Sequence, residues 1–233
     1  MTIIEARLEP NPVFTRSQRH VAAILLIVGP TLMLLSSVGS GLASSSTSGG
    51  EEWAAAIDAP AWTSASWIVG FLSVPAMICW GLVVLLIARP WSPKAAWVGA
   101  VMLIVQVCAL AAVMGMELVR NVLAQEGTDP VAVQTILDSA VPATPAGIVL
   151  MLAFLPTLVI ALICFGFALW RTGWVPRWIA ILFMAFPFID FFTSEIAWAS
   201  AGAFLTLLTS SAVLAMRVFS DGAPRPARRE ETG

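Results

Sequence analysis

The stretch FPFIDFFTSEIAW, residues 186–198, decides the fold. It holds two carboxylates, Asp190 and Glu195, in a run where the only other charges between Trp174 and Val218 are Arg177 and Arg217. It reads as the tip of a hairpin between two apolar helices, roughly 175–193 and 196–217.

The 233 residues are 59% hydrophobic and 11% charged, with mean hydropathy +0.89. Soluble domains carry about 25% charged residues, so the composition belongs to the membrane class. About 20 apolar residues in helix cross ~30 Å of hydrocarbon. Six such spans are expected, at about 21–41, 66–88, 96–119, 146–170, 175–193 and 196–217. The segment GSGLASSSTSGGEE reads as a polar outer loop, and ARPWSPK and RTGWVPR read as tight basic turns. In EGTDPVAVQTILDSAVP, Asp129 can cap a short helix that opens at Pro130. Residues 1–20 form an N-terminal segment, and 218–233, polar and rich in Pro and Gly, are expected to be disordered.

The six-span layout sorts the charges. Arg7, Arg16, Arg19, Arg89, Lys94, Arg171, Arg177, Arg217, Arg225, Arg228 and Arg229 fall on one side, and of the 12 basic residues only Arg120 falls on the other. The positive-inside rule then puts both termini in the cytoplasm. Eight tryptophans sit near span ends as an interfacial belt. A rival reading takes residues 1–44 as a signal peptide cut after Gly41-Leu42-Ala43. Its apolar segment exceeds the usual h-region, so the uncleaved helix is preferred.

Missing residue types exclude several chemistries. His20 is the only histidine and precedes the first span. This rules out a bis-His haem, a His-based intramembrane metal site and a Ser-His dyad. Lys94, the only lysine, lies in a turn, so a Schiff base within the bundle has no candidate. No nucleotide loop, metalloprotease or hydrolase motif is present. Cys79, Cys108 and Cys164 each lie in an apolar run and are expected to pack as small hydrophobes rather than form disulfides. No basic stripe marks a nucleic-acid surface, and no cofactor is expected.

Ionisable groups within spans are the functional candidates. Glu117 lies 20 residues beyond Trp97, about 30 Å along the helix, at the outer interface. Arg120 and Asn121 follow one turn later on the same face. Asp190 is 13 residues beyond Arg177, only about 20 Å, and so falls inside the outer leaflet, whereas Glu195 reaches the surface at about 27 Å. An acid at that depth should face the bundle and find a partner. Arg120 is the candidate partner for Asp190, with Glu117 and Glu195 as competing acids. The alternative is an Arg120–Glu117 pair within one helix. Gln106, near mid-membrane, is expected to hydrogen-bond between helices.

Pro30, Pro75, Pro156 and Pro187 interrupt spans one, two, four and five. Pro-Thr-Leu recurs at 30–32 and 156–158, Trp-Ile at 67–68 and 178–179, and Ala-Trp at 96–97 and 197–198. The echoes fall in matching spans of two three-helix halves that would run in opposite directions, as in transporters with inverted repeats. Short matches are also cheap in apolar sequence.

The segment FALWRTGWVPRWIAILFMAF, 167–186, resembles an element of an uncharacterised family of bacterial multi-pass membrane proteins. The matching residues are Arg171, Gly173, Val175, Pro176, Arg177 and Trp178, with Arg171, Trp174, Arg177 and Trp178 read as interfacial anchors. The resemblance implies a six-helix membrane fold and no particular activity. The expectation is therefore an all-α integral protein of a bacterial plasma membrane, with no enzymatic activity. Its partners would be the lipid bilayer and a second membrane protein or further copies of itself. The leading role is an interaction or assembly partner, the alternative a small transporter, and an intramembrane enzyme comes last.

Overall fold

The computed structural model describes residues 13–45, 60–128, 132–133, 136, 143–193 and 197–221. These form six principal helices: α1 (Arg16–Ser45), α2 (Pro60–Ala88), α3 (Pro93–Gln125), α4 (Pro145–Trp170), α5 (Arg177–Thr193) and α6 (Ala197–Asp221). Most of the first outer loop, the proposed cap at Asp129, Glu195 and the far ends of both tails lie outside the described residues.

Most helices outrun the expected spans, because their ends are built from capping chemistry as well as hydropathy. Three begin on proline, which has no N–H to leave unpaired in the first turn. At α4, Thr144 accepts a 3.0 Å hydrogen bond from the Gly147 N–H. At α1, the Thr15 N–H donates to Gln18 Oε1 at 2.9 Å. The turn from α4 to α5 satisfies its own backbone. Thr172 donates to the Leu169 carbonyl at 2.7 Å and accepts from the N–H groups of Trp174 and Val175. Gly173 takes φ +63°, which a side chain would resist.

Five of the helices are long and apolar enough to cross a membrane. The remaining helix, α5, has 17 residues, about 25 Å of rise against ~30 Å of hydrocarbon. Large apolar side chains face outward on every helix, among them Ile24, Ile68, Val101, Val149, Phe192 and Met216. Ser73, Gln106, Ser210 and Ser211 are buried. An apolar exterior around a core that also holds polar side chains suits a lipid surround.

The helices form a closed ring. Each packs on its successor, and α6 packs back on α1. His20 meets Phe219 with ring centroids 4.9 Å apart, and Gly41 lies against Trp198, so α1 and α6 are antiparallel. Ser36 and Ser40 near the end of α1 bond Ser66 near the start of α2. Gly99 near the start of α3 lies against Phe165 on α4. These contacts bring Arg16, Arg19, Arg89, Lys94, Arg171, Arg177 and Arg217 to one end of the ring. Arg120 sits toward the other. At the basic end Arg89 stands over Trp97 at 5.9 Å, Arg171 over Phe167 at 5.9 Å and Arg177 over Trp170 at 5.7 Å. Of the four expected anchors, Arg171, Arg177 and Trp178 are exposed there, while Trp174 packs partly against the core.

Trp80 is the centre of the core. It is fully buried on α2, stacked on Phe183 of α5 at 5.5 Å and edge-on to Phe165 of α4 at 6.0 Å. Its indole N–H donates to Ser211 Oγ of α6 at 3.0 Å. One side chain thus joins three helices that lie across the ring from α2. The four internal prolines stay within continuous helices. After Pro30 and after Pro156 the following threonine donates back to a carbonyl four residues earlier, Thr31 to Ile27 and Thr157 to Ala153. The Pro-Thr-Leu echo therefore marks the same local device twice.

The α4–α5 hairpin depends on close backbone approach at Gly166. A Cβ there would stand 2.5 Å from Met184 Cγ and 2.7 Å from the Ala180 carbonyl. Gly166→Ala is expected to destabilise the bundle by about 1–3 kcal/mol through overpacking. Gly202→Ala, with open space around it, should stay within about 1 kcal/mol of wild type. Thermal melts in detergent compare the two.

Candidate functional site: a cavity at the centre of the ring

Inside the ring lies a cavity of about 730 Å³ to which all six helices contribute. Met33 comes from α1, Met77 from α2, and Leu103 and Gln106 from α3. Residues Phe154–Leu162 of α4 supply one wall, Phe186–Phe192 of α5 a second, and Ser200, Phe204 and Leu207 of α6 a third. Pro156 and Pro187 both belong to the lining. Proline removes a backbone N–H and pushes the helix aside locally, which makes room and frees a carbonyl one turn earlier.

The lining is mostly apolar, and Asp190 is its one charged side chain among the described residues. Asp190 lies one turn before the end of α5 and is half-buried. It accepts a hydrogen bond from Ser200, which links α5 to α6 and turns the carboxylate toward the cavity. Gln106 is 6% exposed and faces the same space from α3. A carboxylate, an amide and a hydroxyl on otherwise apolar walls make a site that can orient a ligand with one polar or cationic end.

The cavity reaches the outside of the ring along the upper part of the α4–α5 seam. Leu155, Phe188, Phe191 and Phe192 line it and are also exposed on the bundle surface. Below them the seam is shut by the Gly166–Ala180 approach.

The remaining sequence candidates divide as follows. Glu117 and Arg120 form an ion pair within α3, so the intrahelical alternative is the one seen for Arg120. Both lie toward the non-basic end, with Asn121 beside them and buried. Gln106 and Asp190 are brought together as walls of one cavity, although α3 and α5 are not packed neighbours. Among the described residues, no cluster of three metal-ligating side chains occurs. Cys79, Cys108 and Cys164 are free thiols.

Sequence reasoning missed Trp80, Ser200 and Ser211. For Trp80 a signal was present. An indole N–H in mid-membrane needs an acceptor, and the adjacent Ser210-Ser211 offers one on another span. Ser200 carries no signal of its own, since serine is common in membrane helices.

Compared with protein-family models, with curated proteins and with solved structures, the chain finds no match in any of the three.

Proposed function

We propose that the chain is a six-span protein of a bacterial-type plasma membrane that binds and carries a small amphipathic cation through the cavity at Asp190. The observation that carries this reading is the cavity itself: contributions from all six helices, apolar walls and, among the described residues, one carboxylate set a turn inside the end of α5. Acids within membrane spans mark substrate and ion pathways. A role solely as an interaction or assembly partner would leave that arrangement without a use.

The six-span count needs α5 to cross despite its 17 residues. Local thinning of the bilayer accommodates a short helix at modest cost, and the start of α1 and the end of α6 at the same end of the ring favour an even number of crossings. The element at 167–186, with its likeness to an uncharacterised bacterial multi-pass family, supports the same count. The gathered arginines favour cytoplasmic termini. Because α1 packs between α2 and α6, cutting after Ala43 would open the ring, which favours an uncleaved first helix. The inverted-repeat reading gains from the cavity too. In the Ala-Trp register, Leu103 matches Phe204 and Gln106 matches Leu207, and in the Pro-Thr-Leu register Met33 matches Val159. All six line the cavity.

Topology is tested with single cysteines in a chain whose three native cysteines are replaced. Glu126→Cys should react with a membrane-impermeant maleimide in intact cells, and Arg171→Cys only after permeabilisation. The reverse pattern would overturn the orientation. Transport is tested in proteoliposomes with labelled tetraphenylphosphonium, where saturable, protein-dependent uptake is expected. Uptake equal to that of protein-free liposomes would remove the carrier reading.

A further inference from the structure

At the basic end of the bundle a second site lies on the outside of the α1–α6 seam, remote from the cavity. A pocket of about 380 Å³ is lined by Arg16, Arg19, His20, Phe219 and Ser220. It adjoins a mostly apolar groove of about 690 Å³ that runs along the same seam past Ala23, Ile27, Val213 and Met216, with Arg217 also in its lining and Phe219 and Ser220 shared between them. The head is therefore basic and the tail apolar, and both lie along the lipid-facing surface.

The head pocket offers an anion a donor in a fixed setting. Arg19 Nε is buried and has no hydrogen-bond partner among the described residues. The His20 Nδ1–H donates to the Arg16 carbonyl at 2.9 Å, since a carbonyl can only accept, and this directs the other ring nitrogen away from the helix. Edge-on contact with Phe219 at 4.9 Å holds the imidazole in place. The first turn of α1 adds its own positive end to the same spot. A guanidinium fork suits a phosphate geometrically.

We infer that this seam is a binding site for one anionic phospholipid, with its phosphate held by Arg16 and Arg19 beside the His20 ring and one acyl chain laid along the groove between α1 and α6. A free phosphate would fill the head pocket and leave the apolar groove unused, so the groove selects the lipid. Basic pockets between membrane helices beside an anionic leaflet are the setting in which such head groups bind. The position has a structural consequence. The α1–α6 seam is the contact that closes the ring, and no loop joins those two helices, so the lipid clamps the one junction the chain does not make covalently.

The test uses the full chain in nanodiscs, with phosphatidylglycerol and phosphatidylcholine as probes and native mass spectrometry as the readout. One phosphatidylglycerol per chain should be retained in preference to phosphatidylcholine, and inorganic phosphate should not displace it. The Arg16→Gln/Arg19→Gln double variant should weaken retention about tenfold or more. Arg89→Gln/Arg171→Gln, which removes the same charge elsewhere at this end, should change it less than twofold. Wild type should melt higher in phosphatidylglycerol, and the Arg16/Arg19 variant should lose that gain. If the arginine variant does not fold, Ile27→Trp, which fills the groove and leaves the charges, must lower retention by itself. Equal retention of the two lipids, equal losses in the two double variants, displacement by inorganic phosphate, or an Ile27→Trp chain that retains lipid like wild type would each overturn the assignment.

Discussion

Asp190→Asn is expected to weaken binding of tetraphenylphosphonium by about tenfold or more while leaving the folded ring intact. Among the described residues, Asp190 is the only charged side chain on the cavity wall. At an effective dielectric of about 20, a cation 4 Å away gains roughly 4 kcal/mol from it. Desolvation of both ions takes back a large part. A net of about 1.4 kcal/mol is already a factor of ten. Asparagine is nearly isosteric and still accepts the hydrogen bond from Ser200, so packing is preserved and the charge alone is removed. Asp190→Glu should keep most of the affinity. A neutral tetraphenyl compound of the same shape should bind wild type and Asp190→Asn alike. Equilibrium titration in nanodiscs measures all three. An Asn variant that binds the cation as wild type does would show that Asp190 is not the counter-ion.

Trp80→Ala should produce the largest loss of stability of any single core substitution, about 3–5 kcal/mol. The indole is fully buried and touches Phe165, Phe183 and Ser211 on three different helices. Its removal leaves a void where the ring is held across its middle, and no neighbouring helix can close in without separating from its own partners. Trp80→Phe keeps the stacking on Phe183 and loses only the N–H to Ser211, at a cost of about 1 kcal/mol. Unfolding by denaturant titration, followed by intrinsic fluorescence of the remaining tryptophans and by helicity, separates the two. A loss below about 1 kcal/mol for Trp80→Ala would contradict the central role given to this side chain.

The helices were legible in the sequence because a membrane span is specified by composition over some 20 residues, a signal that survives without alignment. The gathering of Arg16, Arg89, Arg171, Arg177 and Arg217 at one end followed from the same layout. Helical rise from Arg177 also sets Asp190 short of the far end of its helix, and in the structure it lies one turn before the end of α5, half-buried. What the sequence could not give was the neighbour of each helix. Arg120 looked available to Asp190 because both lay on the same side of the membrane. In the ring, α3 and α5 are not packed neighbours, and Arg120 pairs with Glu117 one turn away. Ser200 and Phe204 acquired their place on the cavity wall only once α6 was set beside α5. Membrane helices have apolar surface all round, so their outward and inward faces differ little in hydropathy. Packing is decided instead by small residues such as Gly166, Ser36 and Ser66, whose role is visible only when the opposing backbone is in place.

The central claim is that the cavity at Asp190 receives a ligand. Direct titration of labelled tetraphenylphosphonium into purified protein in nanodiscs tests it most immediately, with empty nanodiscs as the blank. The prediction is saturable binding at one site per chain, above the linear partition into lipid. Binding that stays linear with concentration and equal to the blank would contradict it.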